Sequence, residues 1–407
     1  MLLKIKFIRE GSLNQKAIKK LVRNKPALIS LYITAIAFFI AIAGYLITPD
    51  KSPYANEQHL EIAARKPGFK VHMLKIAENQ EKPDCGVIDR WLYGCRSQYR
   101  KIPVSSWKFS GDSLVVTAYE TAQTELPLAF SFWIYDVVYA LPGLDNINSS
   151  SLPQTDLNGR TIERDNEKLK QIITKSHIKP QRYWLGTDRF GRDMMSQLMI
   201  GARVSLSVGF ISVIISLILG ILLGALSGFF RGWVDNLIIW FINVIWSIPT
   251  LLLVIAITFA LGKGFWQVFI AVGLTMWVEV ARVVRGQILS IREKEFVEAA
   301  KALGYKSSRI ILRHILPNTM GPVIVISAAN FASAILIEAG LSFLGIGVQP
   351  PMPSWGTMIK ENYAYIILDN PWLAILPGLC IMILVLAFMM IGNGLRDALD
   401  VKETSSI

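Results

Sequence analysis

Six apolar stretches, each about the length that crosses a hydrocarbon core, constrain this chain more than any other feature in it. They lie at residues 27–48, 204–230, 236–261, 264–284, 319–345 and 372–394, and the third is interrupted by Ser247-Ile248-Pro249. A chain of 407 residues that is 52% hydrophobic and carries such runs is a polytopic membrane protein. Its formal charge of +12 suits Lys and Arg on cytoplasmic loops, and no nucleic-acid partner is needed to explain it. The first run, "ALISLYITAIAFFIAIAGYLIT", is too long for the apolar core of a signal peptide, and no small-residue cleavage site follows. It is expected to stay as an uncleaved span.

Charge placement gives the topology. Residues 1–26 are basic, with Glu10 the sole acid, so this end is expected in the cytoplasm and span 1 carries the chain out. Six spans return both termini to the cytoplasm. Arg282, Arg285, Arg292, Lys294, Lys301, Lys306, Arg309 and Arg313 then fall at or beyond the cytoplasmic end of span 4. Two separate basic clusters agree with one orientation. The expected fold class is an all-α polytopic membrane protein with a cytoplasmic helix-Gly-helix element and a large periplasmic α+β insertion between spans 1 and 2. The boundaries are a cytoplasmic N-terminus at 1–26, span 1 at 27–48, the insertion at 49–202, a five-span core at 203–397 and a cytoplasmic tail at 398–407.

The insertion is polar, of mixed charge, and rich in Trp and Tyr. "DSLVVTAY" (112–119) reads as a strand and "TIERDNEKLKQIITKSH" (161–177) as a helix. The stretch "LPLAFSFWIYDVVYALPGL" (127–145) is apolar enough to suggest a membrane pass. However, it holds Asp136, and crossing here would reverse everything downstream, so a buried or interfacial segment is expected. Cys85 and Cys95 are candidates for a disulfide if this region is periplasmic, and otherwise are two unpaired thiols. No His or further Cys stands nearby at ligand spacing, so no metal site is expected. His59, His72 and His177 read as scattered surface residues.

Between spans 4 and 5 lies "EFVEAAKALGYKSSRIILRHILPN" (295–318). The Ala-rich half is a strong helix former, Gly304 stops it, Ser residues suited to capping begin a second helix, and Pro317 ends that. Two short helices tethered at both ends to spans can transmit a push from a cytosolic partner. They can equally be a solvated connector.

This stretch resembles the coupling motif of ATP-binding-cassette importer permeases, with Glu298, Ala299, Ala300, Gly304, Leu316 and Pro317 at the matching positions. His314 stands where an apolar residue is usual. "RHILPN", "LGTDRFGRDMMSQLMIGARVSLSVG" (185–209), "LSFLGIGVQPPMPSWGTMI" (341–359) and "PWLAILPGLCIMILVLAFMMIGNGLRDALD" (371–400) are similar to the dipeptide, oligopeptide and nickel branch, and to its second, C-type, transmembrane subunit. The insertion is much longer than that branch leads one to expect.

The resemblance implies a bacterial inner-membrane permease subunit for peptides, with nickel or another small solute as the alternative cargo. It implies a second permease, two cytosolic ATPases docked at the 293–317 element, a periplasmic solute-binding protein and surrounding lipid. No cofactor is implied, and the chain lacks the Gly-rich phosphate loop of an ATPase. Candidate pathway residues are Glu338, Asn330 and Ser333; each can equally serve to hold neighbouring helices together. Glu279 stands one turn from Arg282, where a local ion pair is the simpler expectation. The charges of "GTDRFGRD" can pair with one another or meet the binding protein. A different class, a membrane-anchored periplasmic binding module, would make the insertion the working part. An ion-driven transporter would call for more buried carboxylates and inverted repeats.

Overall fold

The computed structural model describes residues 13–81, 84–119, 128–141, 152–262, 264–368 and 370–399. Expectations on residues 1–12 and on most of the C-terminal tail lie outside these. In chain order, α1 (Leu13–Arg23) leads into α2 (Lys25–Ala43), which a 3-10 turn (Gly44–Leu46) extends. There follow β1 (Phe69–Ala77), α3 (Val87–Leu92), β2 (Tyr99–Ser110), β3 (Ser113–Ala118), β4 (Ala129–Trp133), α4 (Ile134–Val138), α5 (Asn166–Ile172) and β5 (Ile178–Tyr183). The remainder is helical: α6 (Met194–Phe230), α7 (Gly232–Ser247), α8 (Thr250–Leu261), α9 (Phe265–Ile291), α10 (Glu295–Ala302), α11 (Ser307–Ile310), α12 (Leu316–Phe343), α13 (Trp355–Asn362) and α14 (Trp372–Leu399). The chain divides into two compact units, one of Met1–Ile42, Gly201–Lys360 and Ile375–Ile407, the other of Ala43–Ile200 and Glu361–Ala374. Residues 361–370 of the connector before span 6 therefore belong with the insertion rather than with the five-span core.

The first unit holds the apolar helices. Among the described residues five helices are long and apolar enough to cross a membrane, and α7 with α8 makes a sixth pass only if a pair bent by 96° counts as one span. The bend has a local cause. Ile248 is extended and Pro249 cannot donate to the turn before it. Helix α9 is the centre of the bundle. Two-thirds (67%) of its most apolar window is inside the protein, against 33–39% for the other four. The outward faces of those four present Phe39, Ile218, Leu336 and Met382, as lipid- or partner-facing surfaces do. Phe331 of α12 stacks on Phe388 of α14 at 4.1 Å between ring centres and meets Phe38 of α2 at 6.3 Å. Arg203 of α6 donates to the Ala41 carbonyl at 2.7 Å and to that of Ile42 at 3.1 Å, placing a cation on the C-terminal carbonyls of α2.

Helix ends differ from expectation where side chains or turns intervene. Helix α6 begins ten residues before the apolar run at 204, because Asp193 accepts from the Ser196 N–H at 2.9 Å and starts the helix there. Helix α9 runs on to Ile291, past the expected end at 284, so Arg285 also lies within it.

The second unit contains an antiparallel sheet in the order β4-β3-β2-β1-β5. Leu74 of β1 sits opposite Ile102 of β2 and Ile178 of β5. Strand β1 is apolar on both faces. Leu74 and Ile76 join Val104, Leu114 and Val116 in the main core, while Val71 and Met73 pack with Ile62 and Tyr183 on the other side. The main core is closed by Ile134, Tyr135, Val137 and Val138 of α4 and by Leu169 of α5. The described part of the apolar 127–145 stretch is thus an edge strand and a buried five-residue helix. The expected helix over 161–177 begins only at Asn166. Asp165 caps it, accepting from Glu167 N–H at 3.0 Å, which leaves residues 161–165 outside. Cys85 and Cys95 are disulfide-bonded, with Cα atoms 6.2 Å apart.

Candidate functional site

The helix-Gly-helix element starts at Lys294, whose extended backbone lets its carbonyl accept from Val297 N–H at 2.9 Å. Helix α10 lasts eight residues because Gly304 takes φ +74°. Gly304 N–H then donates to the Lys301 carbonyl at 2.9 Å and Tyr305 N–H to the Ala300 carbonyl at 3.2 Å, the paired bonds of a Schellman stop. No atom lies within 4 Å of where a Gly304 Cβ would stand, so glycine serves the left-handed backbone and not a lack of room.

The second half differs from expectation twice. Lys306, not a serine, occupies the cap of α11, and its side chain makes no capping bond. Pro317 does not end the helix. It stands in the first turn of α12, where a missing N–H is tolerated, and a π turn over Ile311–Ile315 joins α11 to it.

The element has two faces. Val297, Ala300, Ile310, Ile311 and Ile315 are buried against Phe229, Val284, Ile288 and Ile291. Glu298, Ala299, Gly304 and Pro317 are exposed and Leu316 is half-buried, so of the six motif residues Ala300 alone is committed to packing. Around the exposed turn stand Leu303 at 71% exposure and Leu312 at 65%, large apolar side chains left on the outside. Tyr305 stacks on His314 at 6.1 Å, and Arg309 lies over the Tyr305 ring at 4.4 Å. His314 thus has a packing use where an apolar residue is usual.

Charges tie this end to the spans. Asp235 of α7 accepts both Nε and Nη2 of Arg285 at 2.7 Å and a hydroxyl bond from Ser227 of α6. Arg231 pairs with Glu293 at 2.6 Å, and Arg292 donates to the Phe229 carbonyl. Three helices and the start of the element are therefore held by paired charges, which favours their moving as one body.

The candidate pathway residues separate. Glu338 is fully buried in the chain's own packing. It accepts from Ser342 at 2.7 Å and from Ser205 of α6 at 3.2 Å, and Ser342 in turn accepts from Val348 N–H. In this chain the carboxyl is enclosed and held by Ser205 and Ser342, an arrangement that ties α12 to α6. Asn330 is also buried and donates to Ser216 at 3.4 Å. Ser333 differs. It lines a cavity of about 310 Å³ with Trp246, Thr250, Thr275 and Glu279. Glu279 does not pair with Arg282, which donates to Asn243 at 3.4 Å and lies over Trp246 at 3.5 Å. The sequence carried a signal for this in Glu279 itself, an acid in an apolar helix.

In the second unit the "GTDRFGRD" charges pair both within the stretch and outside it, with Glu361. Arg192 donates to Asp188 at 2.6 Å and to Glu361 at 2.5 Å, while Asp193 caps α6. A cavity of about 690 Å³ opens among Glu57, Lys101, Arg96, Arg100 and Phe132. His59 and His177 are buried, not surface residues as expected: the His177 ring meets the Lys75 carbonyl of β1 at 2.8 Å, while the His59 backbone N–H donates to the Phe190 carbonyl and its ring lies 3.8 Å from Glu57. Among the described residues no group of three His, Cys, Asp or Glu could hold a metal ion.

Comparison with known proteins places this arrangement. Residues 220–403 match the family model for the binding-protein-dependent transport system inner membrane component, and residues 12–67 match the N-terminal TM domain of oligopeptide transport permease C. Residues 68–219, most of the insertion, lie between the two. The chain is 45% identical to the dipeptide transport system permease protein DppC of Alkalihalophilus pseudofirmus over 223 residues, 55% of this chain and 73% of that protein. It is 42% identical to the glutathione transport system permease protein GsiD of Escherichia coli over 221 residues, 54% of this chain and 73% of that one. Among solved structures, an inward-facing MetNI methionine ABC transporter is similar at TM-score 0.43 and 20% identity, over 51% of this chain and 97% of that one. With both family models matched and 45% identity over 73% of a dipeptide permease, the chain belongs to the binding-protein-dependent inner-membrane permeases, in the dipeptide and oligopeptide branch of ABC importers.

Proposed function

We propose that this permease carries short peptides inward, pairs with a second permease, and receives its drive at α10 and the Gly304 turn from two cytosolic ATPases. The observation that carries the reading is the exposed Glu298-Ala299 face beside the uncovered Leu303 and Leu312, on a helix whose opposite face is locked to α6 and α9. An apolar surface left bare next to an acidic helix face is what a groove on another protein would cover. The Asp235–Arg285 and Arg231–Glu293 pairs would pass its movement to the spans, in a rigid-body switch between inward- and outward-facing states. Positive charge on 285–313 sets this end, and both termini, in the cytoplasm, with the bent α7–α8 pair counted as one of six spans. The insertion then lies in the periplasm, where its disulfide persists and a solute-binding protein delivers cargo. Dipeptide and glutathione, the cargoes in the relatives' names, are both short peptides, which favours that class over nickel.

A tagged chain extracted from its host in mild detergent should bring down a second permease and ATPase subunits. Glu298→Arg combined with Gly304→Trp should lose the ATPases and keep the permease. Recovery of the native chain without any ATPase would defeat the coupling reading. Uptake of labelled dipeptide, competed by glutathione and by nickel in turn, would then assign the cargo.

A further inference from the structure

We infer that α3 is a disulfide-stapled anchor that seats the insertion in the outer interface of the bilayer, with phospholipid as its partner. The helix is short and its composition lopsided. At about 100° per residue, Val87, Trp91, Ile88 and Leu92 fall within an arc of about 140°, while Asp89 and Arg90 occupy the rest. Much of this apolar arc faces outward. Val87 is 84% exposed, Ile88 67% and Leu92 39%, and Tyr93 just beyond is 63% exposed. A polar domain gains nothing by leaving such a cluster in water.

Its place in the fold says what covers it. Helix α3 packs on the Gly44–Leu46 turn, which is the last turn of the first membrane-spanning helix. The contact is tight and specific. Cys95 N–H donates to the Lys51 carbonyl at 2.8 Å, and a Cβ on Gly94 would stand 2.8 Å from that oxygen and 3.0 Å from the Tyr45 ring. Leu46 and Ile47, at the end of the span, are themselves 59% and 41% exposed. The exposed apolar side chains at the end of the span and those of α3 therefore belong to one packed piece, joined through the Gly44–Leu46 turn. Trp91 and Tyr93 are the side chains that favour the headgroup region, and Lys51, Arg90 and Arg96, all exposed, stand where phosphate would be met. The Cys85–Cys95 bond closes the loop at both ends of the helix and keeps the arc in place. A membrane surface fits this chemistry better than a protein groove, because the patch is fixed to the level at which the chain leaves the bilayer.

The test uses the full chain in vesicles of phosphatidylethanolamine and phosphatidylglycerol, some carrying a photoactivatable carbene on the acyl chain. Labelled peptides are mapped by mass spectrometry beside a water-soluble carbene reagent. The segment 85–95 should take the lipid-borne label and be shielded from the aqueous one, while Leu60, 69% exposed in the same unit, takes the aqueous label. Ile88→Asp with Leu92→Asp should lower the lipid label on this segment by about tenfold or more, with labelling of α2 unchanged. Ile88→Phe should keep it. Aqueous labelling of 85–95 equal to that of Leu60, with no lipid label, would overturn the inference. So would shielding that arises only when a second permease or a binding protein is added.

Discussion

At the scale of single residues, two acids of similar sequence setting have opposite fates. Glu338 and Glu279 are both carboxylates in apolar helices, and both invite a functional reading. The structure encloses Glu338 with Ser205 and Ser342 and opens Glu279 to a cavity with Ser333. The consequences differ accordingly. Glu338→Ala would leave buried hydroxyls without an acceptor and a void between α6 and α12, costing roughly 2–4 kcal/mol. Glu338→Gln, whose amide oxygen can accept from one serine while its NH2 donates to the other, should cost far less. Glu279→Gln should leave thermal stability unchanged and alter uptake. Melting curves in detergent paired with transport in vesicles separate these outcomes. A normal melt for Glu338→Ala would remove the enclosed-carboxylate account. Gly304 makes a third case. Because its Cβ position is empty, Gly304→Ala should cost only the left-handed backbone, about 1 kcal/mol, and should not disturb neighbours.

At the scale of elements, the decisive contact is α6 against α9. Gly220, Gly224 and Gly228 stand four residues apart on one face of α6. A Cβ on Gly220 would lie 2.5 Å from the Val280 Cβ, and one on Gly224 would lie 2.6 Å from the Ala281 carbonyl oxygen. In a membrane such close approach of backbones replaces the hydrophobic drive that water supplies to soluble bundles. Gly224→Leu should therefore force the helices apart, at a cost of about 3 kcal/mol or more. Gly286→Ala, within α9 but with open space at its Cβ, should be neutral or stabilising by up to about 1 kcal/mol. Aggregation temperature in detergent compares the two. Equal effects would mean that the glycine ladder is not a contact.

This ladder was not legible in the sequence, where it is part of an apolar run, since small residues at every fourth position do not say which helix they meet. The apolar runs and the Gly304 stop were legible because each is a local property of a few residues. The order β4-β3-β2-β1-β5 was not, since pairing Leu74 with both Ile102 and Ile178 joins residues far apart in sequence. The start of α6 at Met194 was hidden for another reason. Its first turns mix Met194, Met195 and Leu198 with Ser196 and Gln197 rather than running apolar throughout, and the Asp193–Ser196 cap marks where the helix begins.

At the scale of the whole molecule, the two units differ in how they meet acid. The second unit buries two histidines; His59 Nε2 lies 3.8 Å from the Glu57 carboxylate, which Lys101 also engages at 2.5 Å, and His177 meets the Lys75 carbonyl. His59 is pushed down to about 4, first by burial and then by the nearby Lys101 charge, and burial also lowers His177. Glu57 works the other way. Burial raises its carboxyl, against the pull of Lys101 at 2.5 Å. For His59 the unfolded chain takes up a proton near pH 6.5 and the folded chain only near 4. Above about 6.5 the two states are alike, and between about 6.5 and 4 the unfolded state alone is protonated, so stability falls as pH falls. The full window is worth at most about 3 kcal/mol from His59, with His177 adding in the same sense and Glu57 offsetting part. Hydrogen exchange on the intact chain, corrected for intrinsic rates, should show β1 and β2 less protected near pH 5 than near pH 7.5. His59→Gln should flatten that difference, because an amide there has no proton to gain. Equal protection of β1 and β2 at both pH values would mean that these buried rings are reached by water or by a carboxylate, and that the insertion owes its stability to the sheet and disulfide alone.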